Sequence, residues 1–268
     1  MKSEAGNPNT ESEDLFEEYL KTHGYLDWTH EPEIKGKRKK PDYDLSLGSA
    51  PHYFEVKEFE RPLPLLGFGA YDPYGPIREK INQATRQFRE YKEFPCSLVL
   101  ANPKAAFVHI GDPWVIFGAM LGNLGFTVPI GPGAEKDHSI QNVFLAGGKM
   151  VNEKRREPQN TTVSSIIALG TFPLREKRIR MAIKERQGEL GRVTTIEEDL
   201  AFYEAIPDSA ELRRVRVYVY ENPYARIPHD RNCFNGPFDQ RWGADGGLIE
   251  RVHVGPDIAR FEDALGEK

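Results

Sequence analysis

The sequence predicts an α/β fold, with helices packed about a mixed central sheet. Three observations carry this. An amphipathic helix over 13–23 precedes two short strands bearing acidic residues, at 43–47 and 53–59. A second amphipathic helix over 76–91 follows, and it leads into 96–101, an apolar run that reads as a fully buried strand. Helix, strands, helix and buried strand in that order build an α/β sandwich.

Each element has its own signal. Leu15, Phe16, Tyr19 and Leu20 recur at helical spacing, and Gly24 supplies a stop. A short strand is expected at 30–34, ahead of the basic run 35–40. Along 53–59, alternation puts Phe54 and Val56 on one face and Glu55 and Lys57 on the other. Residues 61–75, rich in Pro and Gly, read as a loop. Pro76 suits the first turn of the next helix, whose stripe is Ile77, Ile81, Ala84 and Phe88, and Pro95 breaks it.

Beyond 101 the patterning weakens. Residues 102–160 hold many Gly and Pro, with 115–121 and 143–145 reading as ordered. A long irregular insertion is usually functional or mobile, so a lid or partner surface is expected here. A β-branched strand follows at 162–169 and a short basic helix at 176–185. A helix at 195–205 can be capped by Thr194 or Thr195 ahead of Glu197 and Glu198. The strand 215–220 alternates, with Val215, Val217 and Val219 on one face. Residues 222–247 read as loop-rich and 248–254 as a last strand. The expected organisation is a flexible tail at 1–10, one α/β domain at 11–220, and a loop-rich C-terminal extension at 221–268 packed on that domain.

Composition sets bounds. The net charge of −5 argues against a general nucleic-acid coat protein, which would carry a basic excess, but leaves room for a local basic patch. Cys96 and Cys233 are too few for a disulfide framework or a four-cysteine zinc site. Residues 1–14 are polar, so no secretory signal is expected, and a cytoplasmic location is. Residues 114–131 carry no charge, yet Gly118, Gly122, Asn123, Gly125, Pro129 and Gly131 dilute them below a membrane span. No membrane partner is expected.

The chemistry sits in Pro41-Asp42-Tyr43-Asp44 and, after twelve residues that follow Asp42, Glu55-Val56-Lys57. A hairpin turning at 47–51 brings the Asp42 carboxylate beside Glu55. Two carboxylates converging with a lysine suit a divalent cation and a nearby water, the equipment for cutting a phosphodiester. Hard oxygen ligands prefer Mg²⁺ or Mn²⁺. The plain reading makes Asp42 a turn residue beside Pro41, and Glu55 and Lys57 a solvated strand face. Other constellations are weaker. Gly147-Gly148-Lys149 lacks the spacing of a phosphate loop. His229-Asp230-Arg231-Asn232 lacks the helix with a second histidine that a histidine-based nuclease needs.

The ordered set resembles the PD-(D/E)xK nuclease superfamily over about the first 100 residues. It runs from Glu13-Asp14-Leu15-Phe16-Glu17 through Gly24-Tyr25, Lys40-Pro41-Asp42-Tyr43 and Phe54-Glu55-Val56-Lys57 to the helix around Gln83 and the strand Ser97-Leu98-Val99-Leu100. The resemblance implies a restriction-endonuclease-like α/β/α sandwich and a Mg²⁺-dependent (or Mn²⁺-dependent) endonuclease that hydrolyses DNA phosphodiesters. RNA is a possible substrate and a homodimer a possible assembly. Asp42 and Glu55 would hold the metal, with the Val56 carbonyl as a third ligand. Lys57 would orient water or stabilise developing charge, and it should stay charged between two carboxylates. Glu13 or Glu17 would assist, and Gln83 and Gln87 fall where the family often places a polar helper. The alternative is a nucleic-acid-binding or protein-interaction module that keeps the fold without catalysis.

Two basic stretches are candidates for phosphate contact. Lys37, Arg38 and Lys40 belong to a run with five basic residues in six, directly before Asp42. Arg178 and Lys184 belong to the basic helix. Arg213, Arg214 and Arg216 would add to that stripe if they lie nearby.

Overall fold

Thr10 starts the first helix by a reciprocal cap. Its hydroxyl accepts from the Glu13 amide, and the Glu13 carboxylate accepts from the Thr10 amide. Helix α1 spans Glu11–Thr22 and buries Phe16, Tyr19 and Leu20. Gly24 then takes φ +75°, a left-handed conformation that ends the helix. A computed structural model describes residues 9–47, 50–59, 72–103, 108–128, 141–152, 157–209, 213–245 and 247–267. Residues 1–8 of the expected tail and 61–71 of the expected loop lie outside the described residues.

Strand β1 is Trp28–His30, earlier than expected, because Glu31 takes φ 47° and Pro32 follows it. Strands β2 (Tyr43–Leu47) and β3 (Ala50–Glu58) form the acidic hairpin, with Tyr43 opposite Phe54. Helix α2 spans Gly75–Gln87 and tightens into a 3₁₀ turn at Phe88–Glu90. Strand β4 (Cys96–Ala101), buried at every residue, returns parallel to β3.

The described residues of the insertion carry more regular structure than its sequence suggests. Helix α3 spans Pro113–Leu121, capped by the Asp112 carboxylate. Strands β5 (Gly122–Thr127) and β6 (Gln141–Gly147) pair only with each other among the described residues. Strand β7 (Ser165–Pro173) then joins β4 in parallel. Helix α4 spans Leu174–Leu190, a turn or more longer than the basic segment alone predicts, and α5 spans Ile196–Ala205 with Thr195 as its cap. Strand β8 (Arg213–Glu221) pairs antiparallel with β7.

The C-terminal stretch holds the expected strand, β10 (Leu248–Val254), and is less loop-rich than its sequence suggests, for it also carries β9 (Gln240–Asp245) and helix α6 (Pro256–Leu265). The eight-stranded sheet runs β1-β2-β3-β4-β7-β8-β9-β10 and mixes parallel and antiparallel pairs. One face carries Ile77, Ile81 and Ala84 of α2 and Phe88 of the turn that follows it, packed with Leu98, Leu100, Ile116 and Phe117. The other carries Phe16, Tyr19 and Leu20 of α1, packed with Phe54, Val56, Val99 and the β8 valines. Burying an isoleucine such as Ile77 or Ile81 stabilises by about 2 kcal/mol. No helix among the described residues is long and apolar enough to cross a membrane.

Candidate active site

The site is built where β2 stops and β3 continues. Backbone pairing in the hairpin ends at Tyr43 and Phe54, so Val56 would lack a partner on that side. The Asp42 carboxylate fills the place and accepts the Val56 amide at 2.7 Å. Pro41, itself buried, leads into this departure, and the Asp42 carbonyl accepts from Glu31 at 2.8 Å. On the other side Val56 lies opposite Val99 in the parallel pair.

Lys57 joins the two acids. Its Nζ lies 2.5 Å from Glu55 Oε1 and 3.6 Å from Asp42 Oδ2. Glu55 is 4 % exposed, so the solvated-face reading does not describe it. Its second oxygen, Oε2, is buried without a hydrogen-bond partner. A buried carboxylate oxygen left unpaired is costly unless another group completes it. Two carboxylates about one ammonium also leave one negative charge in excess.

The charges feel one another. Burial raises the pKa of Asp42, against the pull of Lys57 and the Val56 amide. Burial and then the Asp42 charge push Glu55 up to about 7. Burial opposes the charge on Lys57, but Asp42 and Glu55 together outweigh it and lift its pKa. The lysine is therefore an ammonium near neutral pH and does not act as a neutral base.

The two helix acids separate by position. The Glu13 charge is felt at Asp42, and Glu13 Oε1 lies 3.9 Å from His30 Nε2. Glu17 is engaged elsewhere, accepting from Asn9 at 2.9 Å, Lys21 at 2.8 Å and the Tyr43 hydroxyl at 3.2 Å. Burial works to raise Glu17, but Lys21 and Asn9 outweigh it and its pKa falls. Gln87 donates to the Lys40 carbonyl, two residues before Asp42, and so braces the approach to the site. Gln83 donates to Glu79 at 3.3 Å along its own helix.

The basic run has a structural occupation. Lys37 donates to the Glu90 carbonyl, and Lys39 to the Arg86 carbonyl at 2.9 Å, both at the C-terminal end of α2 where positive charge is favoured. Lys40 pairs with Glu33 at 3.2 Å. The Arg38 backbone amide donates to Glu90, and its exposed guanidinium has no partner among the described residues. Lys39, which the sequence did not single out within its run, is the one whose charge Glu55 feels. Only the fold reveals this, because every lysine of the run carries the same local signal.

The α4 stripe serves neighbouring helices in the same way. Arg175 donates to the Ile206 and Tyr203 carbonyls at 2.8 and 2.7 Å, closing α5. Lys184 donates to the Ala264 carbonyl at 2.8 Å, closing α6. Lys177 and Arg180 pair with Glu267. Arg178 is exposed and has no partner among the described residues. His229 is buried, hydrogen-bonded to Ser97 and Ser165 at 3.3 Å each.

Among the described residues, no group of three or more His, Cys, Asp or Glu side chains is placed to hold a metal ion. Asp42 and Glu55 are a pair, and any further ligand would be backbone or water. Comparison of the chain with family models, with curated proteins and with solved structures finds no match.

Proposed function

We propose that the protein is a metal-dependent nuclease of the PD-(D/E)xK type, with the restriction-endonuclease-like fold, that hydrolyses DNA phosphodiesters at Asp42, Glu55 and Lys57. The observation that carries this is the convergence of Lys57 on both carboxylates while Glu55 Oε2 stays buried and unpaired. An orphaned hard oxygen beside a second carboxylate fits Mg²⁺ or Mn²⁺, which Asp42, Glu55 and the Val56 carbonyl would hold. Such an ion supplies Lewis acidity and a more acidic bound water.

The chain's own residues do the rest. The Val56 amide fixes the Asp42 carboxylate at 2.7 Å, so its orientation is set before substrate arrives. Lys57 presents an ammonium at the same point, where it can hold a phosphoryl oxygen or an attacking water and balance charge that develops on the phosphate. Gln87 and Lys39 brace and polarise the approach from the α2 side.

The competing reading is a catalytically inactive module, in which Lys57 simply neutralises the buried Glu55 and the half-buried Asp42. It is favoured by the pairing of Lys57 with both. The deciding experiment offers plasmid, linear and single-stranded DNA, and RNA, to wild type and Lys57→Ala with Mg²⁺ or Mn²⁺. Cutting by the wild type alone establishes the nuclease and its substrate. No cutting by folded, metal-loaded wild type moves the assignment to the inactive module.

A further inference from the structure

Arg216 lies on the same face of the sheet as Lys57. Lys57 stands opposite Leu100, Leu100 opposite Ala168, and Ala168 opposite Tyr218, so the row from Lys57 reaches Tyr218. Arg216, paired with Gly170, is one row further toward the end of the sheet where β3 terminates. Three strand spacings separate Lys57 from Arg216, or about 15 Å.

The Arg216 side chain is held between two rings. Its guanidinium carbon is 5.2 Å from the Phe172 ring centre and 4.3 Å from that of Tyr218. Its Nε is buried without a partner, and no carboxylate pairs with it among the described residues. The nearby acids are already occupied. Asp239 accepts from Tyr19, Gly236 and the Val217 amide, and Glu262 is paired twice with Arg251. Burial holds the pKa of Arg216 down, to about 10, against the pull of Tyr220 and Asp239.

Arg216 lines a cleft of about 170 Å³ together with Lys177, Gln240, Phe261 and Glu262, the last already held by Arg251. Lys177 is neutralised by Glu267, so Arg216 is the cleft's uncompensated charge. A planar cation packed on aromatic rings in the wall of a small cleft, without a carboxylate partner among the described residues, is set to take a tetrahedral oxyanion.

We propose that the Arg216 cleft binds a phosphoryl group of the nucleic-acid strand, a few nucleotide steps from the bond cut at Lys57. This rests on the nuclease reading for its ligand, but the anion site can be tested without it. Nucleic acid is favoured because the cleft shares Lys57's face and lies toward the same end of the sheet.

The test begins with calorimetric titration of inorganic phosphate into wild type and Arg216→Gln. A tenfold or greater loss of phosphate affinity in the variant is expected; equal affinity overturns the proposal. A labelled single-stranded oligonucleotide is then bound in EDTA over a range of salt. The slope of log affinity against log salt should fall by about 0.7 in the variant, one phosphate's share for a single strand. An unchanged slope overturns the assignment to the strand. Phosphate binding through Arg216 with no oligonucleotide binding by the wild type keeps the anion site and rejects both its strand assignment and the nuclease reading. If Arg216→Gln does not fold, an arginine-specific dicarbonyl is applied to the wild type. Phosphate should slow modification of Arg216, and an unchanged rate overturns the proposal.

Discussion

The Asp42 carboxylate accepts the Val56 amide at 2.7 Å and so continues the hairpin by one hydrogen bond after its backbone pairing has ended. The same side chain is thus both a strand partner and a candidate cation ligand, and substitutions can separate the two roles. Asp42→Asn keeps a carbonyl oxygen for the amide, while Asp42→Ala leaves a buried N–H unsatisfied. Asp42→Ala should be the less stable of the two by about 1–2 kcal/mol in urea unfolding. Both should lose calorimetric Mn²⁺ binding. Unchanged binding in either would remove Asp42 from the metal site.

Glu13 and Glu17 lie one turn apart on α1, and of the two it is the Glu13 charge that acts more strongly on Asp42. Glu13→Gln should therefore weaken Mn²⁺ binding several-fold, whereas Glu17→Gln should change it little. Glutamine at 13 can still accept from the Thr10 amide, so the helix cap survives the change. Calorimetry on the two variants decides, and a larger effect at Glu17 would reverse the assignment.

Lys184 and Arg178 share a helix but differ in what they touch. Lys184→Ala removes a donor from the Ala264 carbonyl and should cost about 0.5–1.5 kcal/mol of stability, with faster amide exchange at the end of α6. Arg178→Ala should leave stability unchanged and weaken nucleic-acid binding, most visibly at low salt. Thermal melts and binding anisotropy over a salt series measure the two effects.

His52 and His229 form a neutral pair inside the protein. His52 Nε2 lies 2.9 Å from the Ser97 hydroxyl, and the rings are 4.7 Å apart. Phe54 stacks on His52, Phe234 packs against His229, and Arg241 adds a positive charge felt at His229. Burial depresses His52 from 6.5 to about 3, and burial followed by the His52 charge depresses His229. The unfolded chain binds these protons at higher pH than the folded one, so stability is lost as pH falls below 6.5. Between pH 7 and 5 the His52 ring alone should cost about 2 kcal/mol, and His229 acts in the same direction. Denaturant unfolding at both pH values should show a smaller drop for His52→Phe than for wild type. Equal drops would mean His52 is not buried neutral.

The hairpin acids were legible in the sequence because their signal is local: strand alternation, a short turn and the Glu55-Val56-Lys57 spacing. Helix α2 was legible for the same reason, since Ile77, Ile81, Ala84 and Phe88 form one stripe and all bury fully. Helix α3 carries no helical stripe in its sequence because it is apolar all round, with Ile116 through Met120 all buried. Strand β9 is masked in the sequence by Arg241, a residue type that belongs at the surface. Arg241 is 1 % exposed, held by the Cys233 carbonyl at 2.6 Å and by Glu221 at 3.3 Å. Helix α6 did carry readable signs, Pro256 in its first turn and Gly266 just past its end. The roles of Lys37, Lys39, Arg175 and Lys184 depend on helix ends distant in the chain, which composition does not locate.

The β5–β6 excursion leaves and rejoins the core at one pinch. Lys149 donates to the Ala119 carbonyl at 3.1 Å, and Met150 to that of Met120 at 2.7 Å. A Cβ on Gly148 would fall 2.2 Å from the Leu121 carbonyl carbon, so the two chain ends are already in touch. Its outward side chains include Phe126 and Leu145, exposed at 69 % and 56 %. The excursion resembles a cassette: replacing residues 122–147 by a short glycine turn across the pinch would cut no strand of the main sheet and would forfeit the packing of Phe144 on the core and the Arg78–Asn123 hydrogen bond at 2.6 Å. A shortened chain that still folds would show that the main sheet holds Asp42, Glu55 and Lys57 together without this arm.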